Sequence, residues 1–142
     1  MHDYDYAVLI VDDDDVACEG IMRGMRANGI DLPTIIATDG RDALTVLRGK
    51  DPERMVQSPL LILLDLNMPE MNGFEFLREL RGDPKLTRHV VFAVTTSESV
   101  QDHRYAYQHH VAGYVVKTAA DRWHSRLAML LKAYREGVRL PS

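Results

Sequence analysis

Five short apolar runs divide the chain: Ala7–Val11 (AVLIV), Thr34–Thr38 (TIIAT), Leu60–Leu64 (LLILL), Val90–Thr95 (VVFAVT) and Gly113–Val116 (GYVV). Several are apolar at every position rather than alternating. That pattern belongs to strands covered on both faces, as in a parallel sheet. LLILL alone is ambiguous between strand and buried helix, but its shortness and its abrupt acidic stop at Asp65 favour a strand.

The segments between the runs have helical spacing. Val16, Ile21, Met25 and Met22 share an apolar side in DVACEGIMRGMRANG, as do Ala43, Leu44 and Leu47 in GRDALTVLRG. Phe74, Leu77 and Leu80 do the same in GFEFLRELRG, where Gly82 ends the helix. SVQDHRYAYQHH is a more polar helix. DRWHSRLAMLLKAYREG carries the clearest stripe, with Trp123, Leu127, Leu130, Leu131 and Tyr134. Strands alternating with helices predict an open α/β sandwich with right-handed crossovers and helices on both faces. The longest irregular connection is Gly49–Pro59, and the tail after Gly137 is expected to add little to the core.

A chain of 142 residues matches one domain, here 1–142 with a core at about 7–136. The net charge of -4 disfavours direct nucleic-acid binding, which needs clustered Lys and Arg. Cys18 is the only cysteine, which rules out an internal disulfide and a Cys-rich zinc site. It is expected to be a small packed side chain. No apolar stretch reaches membrane-spanning length, and the start lacks the layout of a signal peptide, so a cytoplasmic protein is expected.

In a parallel sheet the carboxyl ends of all strands lie on one edge, where sites form. Those ends carry Asp12 and Asp13 after the first strand, Asp65 after the third, Thr95 in the fourth and Lys117 after the fifth. Asp39, after the second, reads as a turn or cap residue. Acidic residues after strands are often only helix N-caps. That explanation competes evenly for Asp12 and Asp13 alone and weakens once Asp65, Thr95 and Lys117 are added. Crowded carboxylates repel, and a divalent cation relieves them. Hard oxygen donors without His or Cys point to Mg²⁺ rather than zinc. An ionised aspartate can attack a phosphoryl group, with metal and lysine stabilising the charge. Asp65 is the best nucleophile candidate, at the end of a central apolar strand and ahead of the tight loop LNMPEMNG. In that loop Asn67 can offer its backbone carbonyl to the metal, Pro69 stiffens the turn and Gly73 relieves crowding.

The ordered set VDD, LLDLNMPEMNG, VT and GYVVK closely resembles the receiver domain of bacterial two-component response regulators, over about Ala7 to Tyr134. The resemblance implies a three-layer α-β-α sandwich, the flavodoxin-like receiver fold, with five parallel strands in the order 2-1-3-4-5 and five helices. It implies Asp65 as phosphoacceptor, Asp13 as direct Mg²⁺ ligand, Asp12 as the neighbouring acid and Asn67 as a carbonyl ligand. It further implies Thr95 as switch hydroxyl, Lys117 as phosphate-binding lysine, Tyr114 as switch aromatic, and Asn67 and Ser97 as positions that tune hydrolysis. The donor is then a histidine kinase phosphohistidine, and the output is a change of the face formed by helix four, strand five and helix five. One departure is Thr118, where most relatives have a proline.

No output domain is expected, and LLILLDLNMPEMNGFEFLRELRGDP with VVFAVTTS resembles stand-alone receivers that partner bacterial phytochromes. That likeness implies a homodimer through the same face. Trp123, Met129 and Tyr134 could serve it, or could equally be members of the core stripe. His109, His110 and His124 read as surface or cap residues. Two alternatives stand beside the main reading. Asp13-x-Asp15 after a strand resembles the nucleophile loop of haloacid-dehalogenase-like phosphatases, although only Asp121 is available as a late acid. The other is a degenerate receiver that binds partners without phosphorylation. Asp14 and Asp15 are expected to cap and start the first helix rather than join the site.

Overall fold

The computed structural model describes residues 5–56, 59–68, 70–118 and 122–141. Its strands are β1 (Ala7–Val11), β2 (Thr34–Ala37), β3 (Leu60–Leu64), β4 (Val90–Thr95) and β5 (Gly113–Val116). Its helices are α1 (Asp15–Ala27), α2 (Gly40–Leu47), α3 (Gly73–Gly82), α4 (Val100–Gln108) and α5 (Trp123–Gly137). All strand pairings are parallel, in the order β2-β1-β3-β4-β5. This is the α-β-α sandwich with 2-1-3-4-5 order that the receiver resemblance implied. Pro69 and Asp121, each given a role above, lie outside the described residues.

Strands β1 and β3 are buried at every position because each face has its own core. Leu9, Leu60, Ile62, Leu64 and Val91 meet Leu44, Phe76, Leu77 and Leu80 from α2 and α3. Val8, Ile10, Leu61, Leu63 and Phe92 meet Ile21, Met25, Trp123, Leu127 and Leu131 from α1 and α5. Alternate residues of one strand thus feed opposite layers, the period-two geometry of a strand.

Side chains start the helices. Asp14 accepts from Val16 N–H at 2.9 Å and Asp39 from Asp42 N–H at 2.8 Å. Asn72 and Glu75 form a reciprocal capping box on α3. Asp14 is therefore the cap that was expected, and Asp39 is a cap as well. Arg54 holds the long connection before β3, bonding Asp42 Oδ1 at 2.6 Å, Asp51 Oδ2 at 2.8 Å and the Ile36 carbonyl at 3.0 Å.

Several packing expectations are corrected. Val16 points to solvent, 79% exposed, while Ala17 and Cys18 fill the inner side of α1. Further along α1, Gly20 and Gly24 let α5 approach closely, at His124 and Ala128. Phe76, not Phe74, is the fully buried aromatic of α3. Leu140 in the tail is buried in the α1–α5 core, and Tyr6 is buried too, its hydroxyl donating to the Leu131 carbonyl at 2.7 Å. His124 is half-buried rather than a plain surface residue. Its ring occupies the space over Gly20 that a Cβ there would fill, and its Nε2 is buried. Trp123 is core, and Tyr134 packs edge-on to Phe92 at 5.2 Å, whereas Met129 is exposed.

At the opposite edge of the sheet from the strand ends, Arg81 acts as a four-way staple. Nε donates to the His109 carbonyl at 2.8 Å, and Nη2 to the His110 carbonyl at 2.9 Å. Nη1 donates to the carbonyls of Thr87 at 2.7 Å and His89 at 2.8 Å. The end of α3 is thereby tied to both the approach to β4 and the end of α4.

Candidate functional site

The site is assembled where β1, β3, β4 and β5 end. Asp12 follows β1 and is buried; its Oδ1 accepts from Asp14 N–H at 2.9 Å. Asp65 follows β3, with its own N–H donating to the Val11 carbonyl at 2.9 Å. That bond sets Asp65 beside the end of β1. Oxygen atoms of Asp12, Asp13 and Asp65 all lie within 4.8 Å of one another. Asp15, which the phosphatase alternative needs, is not in that group and sits exposed in the first turn of α1.

Lys117 reaches back from the end of β5, its N–H donating to the Thr95 carbonyl at 2.8 Å. Its ammonium lies 2.6 Å from Asp12 Oδ2 and 4.0 Å from Asp65 Oδ2. Burial raises the Asp65 pKa above the ordinary carboxylate value; Lys117 opposes that shift, while the charges of Asp12 and Asp13 add to it. The group is thus short of positive charge, with three acids facing one lysine. Hard carboxylate oxygens at this spacing suit a divalent cation.

The loop after Asp65 folds back tightly. A Cβ on Gly73 would meet the Asp65 carbonyl at 2.5 Å and Leu66 Cα at 2.6 Å. Only glycine lets α3 start this close to the site. Asn67 N–H donates to Asp65 Oδ1 at 3.3 Å, which orients the carboxylate.

On the other side, Thr95 is fully buried and its Oγ1 accepts from Ser97 N–H at 3.3 Å. Tyr114 donates its hydroxyl to the Ser97 carbonyl at 2.9 Å, and burial raises its phenol pKa. The Ser97 hydroxyl donates to Asp102 Oδ2 at 2.6 Å. Thr95, Ser97 and Tyr114 therefore form one bonded group with the first turn of α4. Sequence reasoning missed Asp102. The available signal was Ser99-x-x-Asp102, the spacing of a helix cap and its third residue, and Ser99 Oγ does accept from Asp102 N–H at 3.3 Å. Two neighbours were also unforeseen. His103 lies with its ring 5.0 Å from that of Tyr114, and Trp123 sits 5.8 Å from the Lys117 ammonium. The hydroxyl of Thr118 is buried without a hydrogen-bond partner among the described residues.

A family model of the response regulator receiver domain matches residues 8–128. The chain belongs to the response regulator receiver family. The match covers every residue of the site and favours this assignment over the phosphatase alternative. The receiver is 33% identical over 111 residues to the response regulator Rcp1 of Synechocystis, covering 78% of this chain and 76% of that one. It is 30% identical over 129 residues to a probable methanogenesis regulatory protein, FilR2, of Methanothrix harundinacea, covering 91% of this chain and 83% of the relative. Among solved structures, Mn²⁺-bound Rcp1 superimposes with a TM-score of 0.85 at 29% identity, over 96% of this chain and 99% of that one. The phosphorylated cyanobacterial phytochrome response regulator RcpA gives a TM-score of 0.85 at 27% identity, over 97% and 99%. No helix among the described residues of the receiver is long and apolar enough to cross a membrane.

Proposed function

We propose that this receiver accepts a phosphoryl group on Asp65 from the phosphohistidine of a histidine kinase. The observation that carries the proposal is the convergence of Asp12, Asp13 and Asp65 within 4.8 Å, with the Lys117 ammonium 4.0 Å from Asp65. An Asp65 carboxylate oxygen attacks phosphorus as the P–N bond to the donor imidazole breaks. The imidazole takes up a proton as it leaves, and Asp65 becomes an acyl phosphate. Asp12, Asp13, the Asp65 carboxylate and the Asn67 carbonyl would hold Mg²⁺. When bound, the ion supplies charge neutralisation at the phosphoryl oxygens. The donor set fits it: oxygen ligands only, and a carboxylate whose charge is disfavoured until a cation joins it.

Lys117 would pair with the phosphoryl group, its present partner Asp12 being one of the residues that would hold the ion. Thr95 offers its hydroxyl to another phosphoryl oxygen. A Thr95 hydroxyl turned toward that oxygen lets go of Ser97, and Tyr114, bonded to the Ser97 carbonyl, follows. The face of α4, β5 and α5 then shifts between two populations. Asn67 and Ser97 flank the acceptor and the hydroxyl, where they tune loss of the group.

The likeness to Rcp1 and to RcpA, a phytochrome response regulator, supports a bacterial phytochrome as the kinase. Exposed Val100 and Tyr107 on α4 and Met129 on α5 support self-association through that face. The deciding experiment is intact-mass analysis after acetyl phosphate and Mg²⁺. The native chain should gain one phosphoryl group, and Asp65→Asn none. An equal gain in both would overturn the assignment. Beryllofluoride with Mg²⁺ should then raise the dimer fraction by size-exclusion chromatography, and Met129→Glu should abolish that response.

A further inference from the structure

The edge of the sheet opposite the phosphorylation site carries a cleft of about 460 Å³ that the receiver reaction does not use. It lies between the end of α2, the connection into β3 and the turn from α3 to β4. Its floor contains Leu47, Val56 and Leu86. Arg48, Lys50, Lys85 and Arg88 surround it, and Asp83 is the only acid in its lining among the described residues. Asp83 is already engaged, 3.5 Å from Arg48. Lys50, Lys85 and Arg88 have no acidic partner among the described residues. A chain of net charge -4 thus concentrates cations around one concave surface. Like charges gathered at a concavity focus the field on an anion.

His89 belongs to the same cleft and is unusual within it. It is 6% exposed, and its Nδ1 is buried without a hydrogen-bond partner among the described residues. The Nδ1 atom is closed off from solvent, so a ligand in the cleft would meet His89 through another atom of the residue. Burial holds the imidazole neutral, with its pKa pushed down to about 4, so at neutral pH it offers a directional hydrogen bond rather than a charge. Apolar floor, one neutral polar group and a cationic rim together describe a ligand with a flat heteroatom-bearing body and a strongly anionic end.

We propose that this cleft binds a small phosphorylated organic anion of the nucleoside phosphate class. The phosphates lie among Lys50, Lys85 and Arg88, and the base rests on Leu47, Val56 and Leu86 with a heteroatom bonded to His89. The volume suits a mononucleotide. The site is separate from Asp65, because it stands at the opposite ends of the same strands.

The test is a titration of the ¹⁵N-labelled chain with ADP in EDTA, followed by amide chemical shifts, so that no metal can draw the nucleotide to the carboxylates. Saturable shifts should centre on Lys50, Val56, Lys85, Leu86 and His89 and should persist in Asp65→Asn. Lys85→Glu with Arg88→Glu, both on exposed side chains, should weaken binding at least about tenfold. Inorganic pyrophosphate alone should bind several-fold more weakly than ADP. The proposal is overturned if no saturable shifts occur, if they centre on Asp12 and Asp65, if the double charge reversal leaves affinity unchanged, or if pyrophosphate binds as tightly as ADP.

Discussion

Lys117 makes its short contact with Asp12, at 2.6 Å, and stands 4.0 Å from Asp65. Without a metal the lysine is spent on Asp12, leaving Asp65 the less compensated acid. Both members of the short pair are buried, so removing one strands the other. Lys117→Met should therefore destabilise the metal-free chain by about 3 kcal/mol. Saturating Mg²⁺ should narrow that gap, because the ion replaces the missing charge. Urea unfolding in EDTA and in Mg²⁺ measures both; a gap that Mg²⁺ leaves unchanged would contradict the pairing.

Asp65→Asn keeps shape and removes one of the crowded charges. Burial already disfavours the charged form of Asp65, with Asp12 and Asp13 adding to the effect. The metal-free variant should melt above the native chain. At Mg²⁺ a hundredfold above its Kd, the native chain should gain about 2.7 kcal/mol. The variant should gain clearly less. Differential scanning calorimetry with and without Mg²⁺ reads both effects.

Trp123 is the only tryptophan in the chain, and its ring lies 5.8 Å from the Lys117 ammonium. Emission near a cation depends on that cation's position. Mg²⁺ with beryllofluoride should change the emission of the native chain as Lys117 leaves Asp12. The change should vanish in Lys117→Met. An identical response in the variant would remove Lys117 from the cause.

Gly73→Ala puts a methyl group against the backbone of Asp65 and Leu66, at 2.5 and 2.6 Å, where no side chain can rotate away. The expected loss is about 2–3 kcal/mol of stability. Mg²⁺ affinity should fall with it, since the Asp65 loop must shift. Gly82→Ala, with nothing within 4 Å of its Cβ, is the control and should be nearly neutral or stabilising.

His89 gives the molecule a defined acid sensitivity. Burial, then Arg88 and Arg81, lowers its pKa from 6.5 to about 4. Between those values the unfolded chain binds the proton and the folded chain does not, so stability rises with pH across the window. The contribution is fully present above pH 6.5 and is lost as pH falls toward 4. Its ceiling is about 3 kcal/mol. His89→Gln should flatten the pH dependence of the urea midpoint in that range. An unaltered slope would rule out His89 as its source.

The sheet was legible because each strand's own composition announces it: LLILL is too short for a helix and ends on Asp65. The site was legible because every strand of that sheet ends at one edge, so residues far apart in sequence had to meet. What remained hidden depends on partners that no local pattern reveals. The His124 ring tucks its Nε2 away only because Gly20, more than a hundred positions earlier, leaves it room. Val16 fits a helical stripe, yet it is Ala17 and Cys18 that face the core. Leu140 looks like tail until the α1–α5 layer receives it. The order of the strands, and which acid of the run Asp12 to Asp15 faces the crevice, came from family resemblance; local rules alone allow several registers.

The Arg81 staple would give the proposed switch a fixed base. Its hydrogen bonds hold the far end of α4 to α3 and to the entry of β4. The near end of α4 begins at Ser99, beside the Thr95, Ser97 and Tyr114 group. A helix anchored at one end and nudged at the other behaves as a lever, so a sub-ångström event at Thr95 need not dissipate in a drifting helix. If Thr95 rearranges as proposed, Arg81 would make α4 turn about its far end.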